Sequence, residues 1–137
     1  HHGLAVHGSR VFLAGGLGRS GQALPGVLAA DLQAPGPFAF TLELEEARVT
    51  PGTFVVGDLL VVAGGLDDDG ALSSIEVFPL GDPTVPWRVS AVELPVGVGH
   101  IHQVPVVDSS AFVIGGRVGL EGSTSTCTVL LMNTGQD

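Results

Sequence analysis

Val11-Phe12-Leu13-Ala14-Gly15-Gly16, Leu60-Val61-Val62-Ala63-Gly64-Gly65 and Ala111-Phe112-Val113-Ile114-Gly115-Gly116 are one pattern written three times. Each copy is four apolar residues closed by a glycine pair, and successive pairs are 49 and 51 residues apart. A period of about 50 residues marks a repeat architecture and points to the blades of a β-propeller. The apolar runs do not alternate with polar residues, which predicts strands buried on both faces, as in a sheet held between neighbouring sheets. The pair itself predicts a sharp exit from the strand near a crowded axis, where a Cβ would clash and positive φ is needed.

Working outward from the pairs, a first strand is expected at 3–7, 52–56 and 103–107. A tight turn follows at Gly8-Ser9, Gly57-Asp58 and Asp108-Ser109, all residue types suited to turns. After each pair comes a polar loop of about ten residues and a third strand, at 27–30, 75–78 and 128–131. A fourth strand is expected at 38–44 and 87–94, and the third unit reaches Asp137 before a fourth strand. The chain is therefore read as one all-β domain of three four-stranded antiparallel blades, at about 1–46, 47–95 and 96–137, the last lacking its fourth strand.

Composition agrees with many short strands. The 21 glycines among 137 residues are about twice the usual share of about 7%, and nine prolines add further punctuation. The longest purely apolar run, 59–63, is far short of the roughly 20 residues a membrane-spanning helix needs. Five arginines stand against 14 acids, and the formal net charge of −9 repels phosphate backbones and anionic lipid, so neither nucleic acid nor a membrane is expected as partner. A single cysteine, Cys127, excludes an intrachain disulfide and a cysteine-based zinc site, and leaves the redox compartment open.

The middle unit carries Arg48, Gly64-Gly65, Phe78 in its third strand, Trp87 opening its fourth, then Leu94-Pro95; His2 and His102 each stand 13 residues before a pair. These residues resemble the kelch repeat. The departures are the absence of tyrosine, Ala30 and an aliphatic at the other strand-three aromatic positions, and Phe38 near the tryptophan position of the first unit. The resemblance implies a ring of six or seven blades. Three blades leave two large apolar sheet faces open, which a soluble monomer does not tolerate. The expected partners are thus the remaining blades, supplied by an N-terminal segment that also provides the missing strand, or by a second copy. The first is preferred, and either way the 137-residue chain is expected not to remain monomeric.

Signals for chemistry are few. Gly16-Leu17-Gly18-Arg19-Ser20-Gly21 matches the dinucleotide-binding G-x-G-x-x-G, but Pro25-Gly26 breaks the helix that motif requires. His100 and His102, two apart on an expected strand and joined by His1 or His2, suit zinc or copper by type. Their match to a packing position of the repeat favours a structural role, and no metal or other cofactor is assigned. Asp67-Asp68-Asp69-Gly70 lacks the ligand spacing of a calcium loop and reads as a solvated turn. Glu43, Glu45 and Glu46 read as solvating an outer edge. No catalytic residue is assigned. The loops at 17–26, 66–74 and 117–126 share one end of the blades with the linkers 45–51 and 95–101, so Arg19, Asp67, Asp68, Asp69, His100, His102, Arg117 and Glu121 are the candidate contacts. The leading expectation is a non-enzymatic module binding a protein or a glycan. The alternatives are part of an enzyme acting on a sugar or small metabolite, or a structural section of a secreted or surface assembly.

Overall fold

The computed structural model describes residues 1–34, 36–82, 84–119, 122–124 and 126–131. The first sheet contains β1 (Gly3–His7), β2 (Arg10–Ala14), β3 (Gly26–Asp31) and β4 (Ala39–Glu43). The second contains β5 (Gly52–Val56), β6 (Leu59–Ala63), β7 (Ile75–Pro79) and β8 (Arg88–Val89). The third contains β9 (Val106–Val107), β10 (Ser110–Ile114) and β11 (Cys127–Leu131). Within each sheet the strands pair antiparallel in chain order, and no helix occurs among the described residues. The expectation that the third unit reaches Asp137 without a fourth strand rests on 132–137, which lie outside the described residues.

The hairpins between first and second strands form where the turn chemistry allows. Gly8 and Gly57 open their turns at φ 60° and 58°, and Asp108 takes the same place at 53°, in the left-handed region that Asp tolerates better than most residues. Two expected strands are much shorter than their sequence suggested. Only Val106–Val107 of 103–107 pairs as β9, and only Arg88–Val89 of 87–94 pairs as β8. Pro105 has no N–H to donate to the ladder, and Pro86 stands just before β8; proline confines regular pairing in this way.

The sheets stack face to face in chain order. Ala5, Phe12, Ala14 and Val27 of the first sheet pack on Leu60, Val62 and Phe78 of the second. From the opposite face of the second sheet, Phe54, Val56, Val61, Ala63, Ile75 and Val77 pack on Ala111, Val113 and Leu130 of the third. Strand β6 therefore sends alternate side chains into two cores, and Leu60–Ala63 is buried throughout. Burying each such valine or leucine is worth about 1.5–3 kcal/mol. β7 is buried in the same way from Ile75 to Phe78, and among the described residues burial on both faces is confined to strands of the second sheet. Val11 and Leu13 are half-buried and Ile114 is exposed, because the first and third sheets have a neighbour on one side only.

All six glycines of the pairs have positive φ. The crowding around the first two pairs comes from the linker that begins the next repeat. A Cβ on Gly15 would lie 2.2 Å from the Arg48 carbonyl oxygen, and one on Gly64 would lie 2.4 Å from that of Val98. The second glycine of each pair completes the contact: Gly16 donates its N–H to Arg48 O at 2.9 Å, and Gly65 to Val98 O at 2.8 Å.

Candidate functional site

These glycine–linker contacts gather the loops and linkers at one end of the stack. Val49 forms an isolated antiparallel bridge with Leu66, and Gly99 with Arg117, so each linker lies along the loop of the following sheet. The loop after Gly16 closes on itself through Gly18 N–H to Gln22 O and Leu24 N–H to Gly16 O, and leads straight into β3. The G-x-G-x-x-G match is thus followed by a strand.

The most buried polar group at this end is Arg48, whose side chain is fully buried. Its guanidinium donates to Glu76 Oε2 at 2.6 Å, to Gly64 O at 2.8 Å, and to Ser74 through Oγ at 3.0 Å and the backbone O at 3.1 Å. Glu76, also fully buried, accepts from the Glu45 N–H at 2.6 Å and the Glu46 N–H at 3.3 Å. Burial pulls the Arg48 guanidinium below its ordinary value, while the charges of Glu76 and then Glu46 oppose that fall. Glu46 belongs to this cluster, with its carboxylate bonded to Arg48 and to the Ser74 hydroxyl, and so does more than solvate an edge. The signal for Glu76 was present in the sequence: it is the one charged residue within β7, between Ile75 and Val77. The Arg48 and Glu76 side chains are both buried and bonded to each other and to the backbone around them, so the cluster ties the linker to the second sheet.

A second grouping opens to solvent. The three segments that begin the repeats, around residues 1–4, 50–53 and 100–102, wall a pocket of about 350 Å³. His1 and His2 line it from the first segment and His100 and His102 from the third. The two latter histidines precede β9 instead of lying on a strand, and their rings meet edge-on at 6.3 Å between centroids. Thr50 and His100 both hold left-handed backbone, at φ 51° and 54°, at a cost of roughly 1–2 kcal/mol each. Hydrogen bonds fix both: Thr50 N–H donates to His1 O at 2.6 Å, and His100 N–H to Thr50 Oγ1 at 2.9 Å. Burial, then the positive charge of Arg117, then His102 lower the pKa of His100. Thr53 also lines the pocket, and its buried hydroxyl has no hydrogen-bond partner among the described residues. Gly3 covers that hydroxyl, and a Cβ there would fall 1.8 Å from it. Among the described residues no three or more His, Cys, Asp or Glu side chains are grouped to hold a metal ion.

The remaining candidates lie apart from this pocket. Asp67, Asp68 and Asp69 border a small cleft of about 130 Å³ with Gly119 of the third sheet's loop. Asp67 Oδ1 accepts the N–H groups of Asp69 at 2.8 Å and Gly70 at 2.9 Å, so this carboxylate shapes its own turn. Arg19 is exposed in the first loop, and Glu121 lies outside the described residues. The structure thus brings His100, His102 and Arg117 together and keeps the three aspartates in a separate cleft.

No protein-family model and no curated protein matches this chain. Among solved structures it is similar to YjhT, with a TM-score of 0.81 at 14% identity over 97% of this chain. The chain spans 43% of the length of YjhT. That likeness, with three antiparallel sheets stacked in sequence, fits a β-propeller-like fold.

Proposed function

We propose that the three sheets are consecutive kelch-type blades of an incomplete β-propeller, and that the assembled ring is a binding scaffold rather than an enzyme. Its loop end contacts a protein or glycan, with Arg19, Asp67–Asp69, His100, His102, Arg117 and Glu121 as the candidate contacts. The ring is completed by further blades, from another chain segment or from a second copy.

One observation supports this reading most directly. Positions buried in the middle sheet are open at the same register in the third. Ala63 and Val77 are 0% and 4% exposed, whereas Ile114 and Val129, at matching positions, are 58% and 49% exposed. On the opposite end of the stack, Leu4, Val6 and Phe40 of the first sheet are likewise exposed. Apolar faces of this extent on a folded chain are surfaces that another sheet covers. Light scattering on the 137-residue chain tests the point: particles heavier than one chain are expected, and a monodisperse monomer would overturn the reading.

A further inference from the structure

The chain as a whole is acidic, with 14 carboxylates against five arginines. The pocket at the start of the three repeats reverses that balance. Four of the five histidines line it, and among the described residues no Asp or Glu does. Packing does not account for the gathering, because His1, His2 and His102 are exposed and His100 is only half-buried. Two further features mark the same wall. Thr50 and His100 hold strained backbone there, and strain of this kind collects at ligand clamps. Among the described residues the buried Thr53 hydroxyl beneath Gly3 has no partner, although buried polar atoms are ordinarily paired.

We propose that this pocket binds a small oxyanion group, a carboxylate or phosphate, through the imidazoles of His100 and His102 with His1 and His2 opposite. A neutral imidazole offers one N–H donor and a charged one offers two, so an oxyanion selects the protonated rings. The charged and titratable groups around His100 are Arg117, His102, and the first-segment histidines across the pocket. All are basic, and among the described residues no carboxylate on the wall competes for them. Without an anion, burial and then the charges of Arg117 and His102 work against protonation of His100; a bound oxyanion opposes that by supplying the missing negative charge. Binding therefore takes up protons. Apparent affinity should rise at least tenfold from pH 7.5 to pH 5.5.

The site uses only residues of the segments that begin the three repeats, so it stands or falls separately from ring completion. The test is a titration of the 137-residue chain followed by the imidazole Cε1–H resonances. Sulfate, whose charge is constant over this range, serves as the phosphate-like probe, and acetate as the carboxylate probe. Ionic strength is held fixed with sodium chloride. Saturable shifts of His100 and His102 at pH 5.5, at least tenfold weaker at pH 7.5, are expected from one or both probes, and which probe saturates identifies the oxyanion class. His7 lies outside the pocket, against Asp58, and serves as the internal reference. Equal response of His7, shifts that never saturate, or tighter binding at the higher pH would each overturn the proposal. Replacing both rings, as His100→Gln with His102→Gln, should abolish the saturable response of the remaining pocket histidines; its persistence would likewise overturn it.

Discussion

The two junctions between sheets share a backbone arrangement and differ in the chemistry behind it. At the first, the Arg48 carbonyl sits over Gly15 and Gly16, and its side chain runs back into a fully buried ion pair with Glu76. At the second, the Val98 carbonyl sits over Gly64 and Gly65, and its side chain joins Leu94 and Ile101 in an apolar core. What the junctions have in common is a glycine pair receiving a linker carbonyl. That contact sets the stacking, and the side chain at the linker position is free to be an ion or a hydrocarbon. The choice still matters for sensitivity. A buried ion pair roughly offsets its own desolvation when intact and is costly when one partner is removed.

The largest expected effect breaks the charged junction. Arg48→Met or Glu76→Leu alone should cost about 3–5 kcal/mol in urea unfolding, because each leaves the other charge buried without its partner. The double substitution should cost clearly less than the sum of the two. Strict additivity would show that the pair is not coupled and would erase the difference between the junctions.

Next come the glycines that both junctions use. Gly15→Ala and Gly64→Ala should each cost about 2–4 kcal/mol, combining left-handed strain with collision against a backbone carbonyl. Gly115→Ala has the same positive φ, but among the described residues its Cβ would meet only Thr124 O, at an ordinary 3.5 Å. It should cost about 1–2 kcal/mol, from strain alone. Equal losses at all three positions in thermal melts would mean that conformation, and not the linker carbonyl, is what the pair serves.

The smallest effect lies at the hairpin turns, away from the linkers. There His7 Nε2 and Asp58 Oδ1 lie 3.0 Å apart between the first and second sheets, with the aspartate side chain 73% exposed. Asp58→Asn should change stability by less than about 0.5 kcal/mol. A loss approaching that of Glu76→Leu would show that burial is not what separates these two pairs.

The sequence made the strands next to the glycine pairs legible because the same physical demand recurs three times at one spacing. Each second strand lies where its apolar run predicts, and each tight turn forms at the expected Gly or Asp. Elements farther from the pairs were harder to read. Val104 and Val106 look like strand residues, yet Pro105 between them limits β9 to two residues. The uniform apolar character of all three second strands suggested equal burial, but a strand's sequence does not state how many neighbours its sheet has. Arg48 could be singled out by its place in the repeat. Its partner Glu76 lies 28 residues away, and the pair becomes visible only once β7 is packed behind the linker. The histidine pocket was legible in part. The repeat spacing put His2 and His102 in register, but the left-handed turn at His100, which brings its N–H to Thr50, has no sequence marker beyond tolerance of that conformation.

The two-sided burial of β6 has a consequence in time as well as in space. A stack in which each sheet touches only its neighbours behaves as a short one-dimensional chain of coupled units, each stabilised by the interfaces on its flanks. The middle unit has two such interfaces and the flanking units have one each within this chain. Opening therefore begins at the outer sheets and reaches the Val61 and Val62 amides last, so protection from solvent exchange is graded from the centre outward. Covering either outer face would move that centre, and the pattern of slow amides would then record which side of the stack had gained a neighbour.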